Sequence, residues 1–475
     1  MASKYVGDNM GVRTLEHYNQ FFRFQRFARF DYGERENLIK YKQKCPPKYD
    51  VTTIDIPISI ASLTSDIVAT PKDCRSLKKK VKNSRIRFFV GNHWDLWASP
   101  ATTNKIVDDY EEFIDSEDFI IAAGYPVETH HITTQDGYIL TLHRIPSTNF
   151  SSSPVLLVHP MTTSGIIWVL PLTRKAKPIA FGLSDLQHDV WILHFRGTKE
   201  SLRHRFLKAS NIDFWNYTAH ELAIFDIRNS VDYILEKTKK EKINYLGISQ
   251  GSSSLMMLLA TKPEYNGKIS AAYLVSPIFE SNFIPFSVQM IYGSDFSDLL
   301  IFMSDTERKN FADFGNRNML ERMKFVAGSD FLIDLMLKGA SLVVGNFNPN
   351  VNYSSIFKNF NVIGDKVGLG TVKHYSQILR HHRFARFDYG EDENRRVYDQ
   401  NWPPTYDVTK IKVPTTIVSL KSDIIANPED CQALKMQIKK SRIVDFEGNH
   451  VDFWSLPQTI NGITGDFEEF VSKNR

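Results

Sequence analysis

The sequence is poor in cysteine: only Cys45, Cys74 and Cys431 occur among 475 residues. Three cysteines are too few for a disulfide framework, and none lies in a Cys-x-x-Cys pair or in a Cys/His cluster with zinc spacing. The sequence therefore predicts neither redox nor metal chemistry, and it implies no cofactor.

Long hydrophobic runs and a marked excess of one charge are also missing. No apolar run approaches the roughly 18–20 residues of a membrane span, so no transmembrane segment is expected. The opening run MASKYVGDNMGVRTLEHYNQ lacks the apolar core of a signal peptide. The 58 Lys and Arg against 54 Asp and Glu leave a net charge of +4, spread along the chain. Without a basic stripe, nucleic acid is not expected as a partner.

The sequence contains two copies of one segment. RFARFDYG begins at Arg26 and recurs at Arg383, and GNHWDLW from Gly91 corresponds to GNHVDFW from Gly448, both at an offset of 357 residues. A solenoid needs at least about three short copies in series, whereas here two long copies flank an unrelated stretch. The pattern indicates a partial duplication, with a boundary near residue 115.

From residue 118 onward the sequence is typical of one αβ unit. An Asp136-Gly137 turn between β-rich arms predicts a hairpin over 130–145. Segments with helical spacing, such as 218–238, alternate with short apolar runs suited to strands buried on both faces. This alternation predicts a mostly parallel sheet covered by helices on both sides. The predicted buried strands are 154–159, 189–195, 243–246 and 271–276.

The chemistry centres on Ser249. The motif Gly247-Ile-Ser249-Gln-Gly251 follows a predicted strand and precedes an apolar helix, which is the context of a nucleophile elbow. A bare GxSxG pattern is weak, because a Gly/Ser loop between a strand and a helix can produce it. The strand and helix around it give the motif its weight, since a strained turn requires small neighbours.

A serine nucleophile needs a base and an acid that orients the base. Asp423 follows the strand-like run 415–420, and His450 follows the strand-like run 442–446. Strand-end loops are where an open αβ sheet assembles its site, and the chain order Ser, Asp, His is that of αβ-hydrolases. The sequence therefore predicts a triad of Ser249, His450 and Asp423.

At these residues the chain resembles the acid lipases of the αβ-hydrolase fold, the lysosomal and gastric lipases of triglycerides and cholesteryl esters. The resemblance covers residues 118–475 and is carried by the run from Gly124 to Pro146, the GISQG motif and the block from His374 to Trp454. It implies an α/β fold with a mainly helical cap over about 279–370. It also implies oxyanion-hole donors at the backbone N–H groups of Gln250 and Met161.

Several positions depart from the pattern of that family. Ile248 stands where the family has His, and Pro160 changes the oxyanion loop, which leaves the direction of the Met161 N–H open. His194 and Thr198 replace Asn on either side of Arg-Gly. The expected cap contains no cysteine, so the cap disulfide of the family is missing and substrate preference is left open.

By the same resemblance, residues 1–115 are a partial duplicate of the C-terminal third of such an enzyme, with Asp66 and His93 at the places of Asp423 and His450. This copy brings no serine of its own. A fragment of a sheet cannot bury both of its faces alone. Two tandem genes joined into one chain and a true two-headed protein both remain open, and the first is favoured.

The expected function is that of a serine ester hydrolase acting on lipid esters, with transient contact to a lipid surface. A catalytically weak lipid-binding or carrier protein on the same fold is the alternative. Export through the secretory route, to the lysosome or the exterior, follows only from the resemblance. Three Asn-x-Ser/Thr sequons give it slight support: Asn149, Asn216 and Asn352.

Overall fold

A computed structural model of the chain describes residues 12–54, 58–82, 84–103, 105–106, 115–149, 153–173, 175–283, 345–349, 351, 353 and 365–474. These residues form two compact units, Met1–Phe113 and Ile114–Arg475. Most of the stretch 279–370, where the sequence predicts a cap, lies outside the described residues.

The first unit is built on two parallel strands, β1 (Ile58–Leu63) and β2 (Ser84–Phe89). The helix between them begins at Pro71, and the Thr70 side chain caps it by accepting the Asp73 N–H. Proline at the first helical position and a threonine cap explain why the helix begins there. The described helices of this unit are α1 (Val12–Phe24), α2 (Glu34–Tyr41), α3 (Pro71–Lys80) and α4 (Asp95–Ala98).

The described part of the second unit contains a nine-stranded sheet whose members are short, as expected for buried strands. The strands are β3 (Glu128–Thr133), β4 (Tyr138–Ile145), β5 (Pro154–Val158), β6 (Asp189–His194), β7 (Arg203–His204), β8 (Ile243–Ile248), β9 (Ile269–Val275), β10 (Thr415–Leu420) and β11 (Ser441–Phe446).

The strand order is β11-β10-β9-β8-β5-β6-β4-β3, with β7 paired to β4. The six strands from β11 to β6 are parallel to their neighbours, whereas β4 is antiparallel to both β3 and β6. The sheet is thus mostly parallel, as the sequence predicts, and the hairpin expected over 130–145 forms an antiparallel pair at one edge. Because the carboxyl ends of parallel strands lie at one edge, the loops after β5, β6, β8, β10 and β11 can meet there.

Helices cover both faces of the sheet. Along β8, Ile243 and Tyr245 belong to one buried apolar cluster, whereas Leu246 and Ile248 belong to another on the opposite face. A strand buried on both faces reads as a continuous apolar run, which is why its sequence signal is strong. The helices are α5 (Ser116–Ala122), α6 (Ile179–Asp185), α7 (Ala219–Glu221), α8 (Arg228–Thr238), α9 (Gln250–Thr261), α10 (Leu369–His381), α11 (Glu391–Tyr398), α12 (Pro428–Gln437) and α13 (Pro457–Lys473).

The segment expected as one helix over 218–238 contains a π-helical stretch, Leu222–Ile227, between α7 and α8. The whole segment begins at a capping box in which Thr218 and Glu221 satisfy each other's backbone N–H groups. Across the described ranges of the chain, no helix combines the length and the apolar character needed to cross a bilayer.

Candidate active site

Ser249 sits at a sharp turn between β8 and α9. Its backbone has φ 50° and ψ −113°, a conformation that a residue with a side chain adopts only under strain. The Ser249 N–H donates to the Val275 carbonyl at 2.9 Å, and the Ser249 carbonyl accepts from the Ser253 N–H at 2.9 Å. The strained residue is therefore fixed by its neighbours in the sheet and by the first turn of α9.

The two glycines of the motif are required by close backbone approach. A Cβ on Gly251 would lie 2.3 Å from the carbonyl oxygen of Val158, at the end of β5. A Cβ on Gly247 would lie 2.7 Å from the carbonyl carbon of Gly251. Because real Cβ atoms do not approach other atoms this closely, only glycine lets α9 pack against β5 and β8 here.

Three predicted side chains meet at the carboxyl edge of the sheet. His450 Nε2 lies 3.0 Å from Ser249 Oγ, and His450 Nδ1 lies 2.7 Å from Asp423 Oδ2. With the Nδ1 proton donated to the carboxylate, Nε2 is free to accept the serine hydroxyl proton. Asp423 is almost fully buried, while Ser249 and His450 keep a small exposed surface.

The Asp423 carboxylate is held by its own loop. Its Oδ1 accepts the backbone N–H groups of Ile425 at 2.9 Å and Ala426 at 3.0 Å, while Oδ2 faces the imidazole. A buried carboxylate with three donors is satisfied and has a fixed orientation. Asp423 can therefore hold the tautomer and the plane of the His450 ring.

A second hydrogen-bond network shapes the loop that carries His450. Asp452 Oδ2 accepts the Asn449 N–H at 2.9 Å, and Asp452 Oδ1 accepts the hydroxyls of Tyr353 and Ser455, each at 2.5 Å. Gly448, at φ 122°, has no room for a Cβ, which would lie 2.4 Å from Asp452 Cβ. The sequence analysis missed this network, although the acidic residue two positions after His450 occurs in both copies of the repeat.

The strand-end loop after β5 carries Met161. His159 is buried, and burial lowers the pKa of its imidazole to about 4, so the ring is neutral near pH 7. Its Nε2 accepts the Phe195 N–H at 3.1 Å, which leaves Nδ1–H to donate to the Pro160 carbonyl at 2.8 Å. The start of the loop is thereby tied to the end of β6, while Thr162 takes φ 63° in the turn that follows.

Gln250 is the first residue of α9, and its backbone N–H is among the N–H groups that a helix cannot pair internally. This N–H and the positive end of the helix dipole favour negative charge beside the nucleophile. Ile248, where the acid lipases have His, is fully buried in an apolar cluster. The presence of Ile in place of His therefore affects packing, and the Ser249–His450 contact is formed.

Among the described residues, one group of titratable side chains lies close enough together to hold a metal ion, namely His143, His194 and Glu200. It lies where β4 and β6 run side by side, and the sequence analysis marked only His194, as a departure from the acid-lipase pattern. An apolar groove elsewhere is lined by residues after β5 together with Phe453, Trp454 and Ile460. Its lining includes none of the triad residues.

Two family profiles match the chain, one described as "alpha/beta hydrolase fold" over residues 153–457 and one as "Partial alpha/beta-hydrolase lipase region" over residues 116–172. Curated relatives include "Lipase 1" of Drosophila melanogaster, 27% identical over 369 residues, which covers 72% of this chain and 76% of that protein. "Gastric triacylglycerol lipase" of Rattus norvegicus is 28% identical over 365 residues, covering 71% and 87%.

"Lipase member M" of Homo sapiens is similarly 28% identical over 370 residues, covering 73% of this chain and 83% of that protein. The matched profiles agree with the observed sheet order, with the strand–turn–helix context of the serine and with the parallel strands that flank it. The chain belongs to the α/β-hydrolase family and, within it, to the lipase-like carboxylic ester hydrolases.

Proposed function

We propose that this protein cleaves lipid esters of the triglyceride or cholesteryl ester class through a Ser249–His450–Asp423 triad and an acyl-enzyme. The observation that carries the proposal is the continuous pair of hydrogen bonds from Ser249 Oγ through the imidazole to Asp423, at 3.0 Å and 2.7 Å. Both distances lie within the range required for proton transfer and for orientation of the base.

In the acylation step, Ser249 Oγ attacks the carbonyl carbon of the ester while His450 Nε2 takes the hydroxyl proton. Asp423 stays ionised and stabilises the imidazolium that forms. The tetrahedral intermediate collapses when His450 gives the proton to the departing alcohol oxygen, which leaves the acyl group on Ser249. Water then attacks the acyl carbonyl with His450 as base, and the fatty acid is released.

The negative charge of the tetrahedral intermediate needs donors that are already in place. We assign these to the backbone N–H of Gln250, at the start of α9, and the backbone N–H of Met161, in the loop after β5. Such a pair typically contributes about 10²–10³ in kcat for each donor. Pro160 removes no donor from the pair, because Met161 keeps its own N–H.

The substrate class is argued from the relatives. Those named above are lipases, and one of them is named for triacylglycerol. A water-insoluble ester implies transient contact with a lipid surface. The same relatives favour the secretory route, and Asn149 and Asn216 lie exposed, as acceptors of glycans must.

The experiment compares the wild-type chain with Ser249→Ala and with Ser472→Ala, a matched control on an exposed serine of α13. Hydrolysis of p-nitrophenyl butyrate, trioctanoin and cholesteryl oleate is measured. We expect turnover by the wild type and the control and its loss in Ser249→Ala by about 10⁴-fold or more. Fatty-acid binding without turnover by the wild type would favour the carrier function, and turnover by Ser249→Ala would refute the triad.

A further inference from the structure

The buried group formed by His143, His194 and Glu200 lies where β4 and β6 run side by side in the same sheet. His143 Nδ1 and His194 Nε2 are 3.0 Å apart, and Glu200 Oε2 lies 3.0 Å from His194 Nε2 and 3.2 Å from His143 Nδ1. Ser116 donates its hydroxyl and its backbone N–H to the other carboxylate oxygen, Oε1, at 2.7 Å and 3.2 Å. None of these groups touches the triad.

The hydrogen bond at Nδ1 of the His194 ring fixes the tautomer of the ring. The backbone N–H of Gly165 points at His194 Nδ1 at 3.2 Å, and an amide N–H can only donate. Nδ1 is therefore unprotonated, and the ring proton sits on Nε2, directed at His143 Nδ1. Burial lowers the pKa of His194 well below its usual 6.5, which agrees with a neutral ring carrying one proton.

This tautomer argues against a metal ion at the group. A histidine that ligates through Nε2 carries its proton on Nδ1 and donates it to a carbonyl or carboxylate. Here Nδ1 accepts the Gly165 N–H instead. Ligation through Nε2 would therefore require either an imidazolate or the loss of the Gly165 contact. Glu200 instead places its carboxylate beside the Nε2–H, which favours the proton on that nitrogen.

The Gly165–His194 contact is closely packed. A Cβ on Gly165 would lie 2.5 Å from Ile192 Cγ2 and 2.6 Å from His194 Cε1, so only glycine brings the backbone to the ring. Gly165 ends the strand-end loop that begins at His159, whose ring is bound to the N–H of Phe195. Two neutral imidazoles thus tie both ends of this loop to the end of β6.

We propose that His194, whose unprotonated Nδ1 accepts the Gly165 N–H, is a positioning residue that holds the loop 159–165 so that the Met161 N–H faces the oxyanion. This inference rests on the proposed function, since it assigns a purpose to the loop only if Met161 is an oxyanion donor. His194 acts through the backbone of Gly165, and it does not touch the reacting atoms. Loss of its acceptor nitrogen should therefore weaken transition-state binding more than substrate binding.

The kinetic test uses the full chain with His194→Leu, which removes the acceptor, and His194→Asn, whose Oδ1 occupies nearly the place of Nδ1 and can accept the Gly165 N–H. With p-nitrophenyl butyrate we expect His194→Leu to lower kcat by about 10–100-fold with KM changed less than about 3-fold. His194→Asn should retain kcat within about 5-fold of the wild type. Equal kcat values for the two variants, or a change confined to KM, would overturn the inference.

Hydrogen exchange of the Gly165 amide provides a readout independent of activity. The amide should exchange slowly in the wild type and in His194→Asn and faster in His194→Leu, and unchanged exchange in His194→Leu overturns the inference. If His194→Leu fails to fold, nitrogen NMR of the wild type with labelled histidine decides the question. A protonated Nδ1 on His194, or one bound zinc per chain lost together with activity on chelation, would overturn it.

Failure of the proposed function gives a different pattern. Ser249→Ala that still hydrolyses the ester would refute the triad while leaving the exchange behaviour of Gly165 as described. An inactive Ser249→Ala together with full kcat in His194→Leu would refute only the positioning role of His194.

Discussion

Acidification from pH 7 to pH 5 should destabilise the protein, because the folded chain buries several neutral histidines. Burial lowers the pKa of His143, His159 and His374 to about 4. It lowers the pKa of His194 and His220 well below 6.5. In the unfolded chain these rings regain ordinary pKa values near 6.5. Below about pH 6.5 the unfolded state therefore binds more protons than the folded state, and stability falls with pH until about pH 4.

The magnitude follows from proton linkage. A histidine whose pKa is 6.5 unfolded and about 4 folded loses about 2 kcal/mol of stability between pH 7 and pH 5, or about 6 kcal/mol for His143, His159 and His374 together. Burial raises the pKa of Asp226 and Asp365 to about 6, so these carboxyls gain protons over the same range and return about 1 kcal/mol each. For these five groups together the net loss is about 4 kcal/mol, a large part of a typical folding free energy of about 5–15 kcal/mol.

The assay is urea unfolding of the full chain at pH 7 and pH 5, followed by tryptophan fluorescence, with one matched pair of variants. The His374 ring donates through Nε2 to the Ala385 carbonyl at 2.8 Å and is fully buried. His17, its counterpart in the repeat, makes the same bond to Ala28 at 2.9 Å but is only partly buried. Glutamine can replace the Nε2–H donor at either place without titrating.

We expect His374→Gln to reduce the loss of stability between pH 7 and pH 5 by about 2 kcal/mol relative to the wild type. His17→Gln, the matched change at the partly buried counterpart, should reduce the loss by less than His374→Gln does. Stability that is equal at the two pH values in the wild type would refute the reasoning about buried neutral histidines. An identical loss in His374→Gln and the wild type would refute the assignment to this ring.

Two further predictions concern the site and its packing. His450→Ala should lower kcat by about 10⁴-fold or more, whereas His93→Ala should leave it nearly intact; steady-state hydrolysis of p-nitrophenyl butyrate measures both, and the reverse result would mean that the duplicate supplies the base. Gly251→Ala should cost about 1–3 kcal/mol of stability by overpacking, because its Cβ would lie 2.3 Å from a carbonyl oxygen of β5. Gly267→Ala meets nothing within 4 Å and should stay within about 0.5 kcal/mol in urea unfolding; equal effects of the two substitutions would contradict the packing argument.

The sequence predicts the fold well where its signal is local. Strands buried on both faces, such as β5 and β8, read as short apolar runs, and a Gly-x-Ser-x-Gly motif between a strand and a helix marks one turn. The approach of Asp423 and His450 to Ser249 was also predictable, because strand-end loops of a parallel sheet share one edge. The roles of these residues, and of Gln250 and Met161 as donors, remain proposals.

Contacts that depend on strand register could not be read from the sequence. His143 and His194 lie on β4 and β6, 51 positions apart, and meet only because these two strands pair in one particular register. Glu200 joins them from a loop, and nothing in its local sequence marks it. The π-helical stretch Leu222–Ile227 also has no local signal, since one apolar stripe runs through the whole segment.

The two copies of the repeat separate what a short segment specifies from what its surroundings supply. Asp66 and His93 stand 2.9 Å apart, as Asp423 and His450 stand 2.7 Å apart, so both copies form the Asp–His pair. The two copies differ in how deeply corresponding side chains are buried: Phe27 is 59% exposed, whereas its counterpart Phe384 is 2% exposed.

In the described part of the first unit, β1 pairs only with β2, whereas β10 pairs with both β11 and β9. The second pairing joins β10 to the sheet whose next strand, β8, ends at Ile248, directly before Ser249. The contact of the Asp423–His450 pair with Ser249 therefore depends on the pairing of β10 with the rest of the sheet.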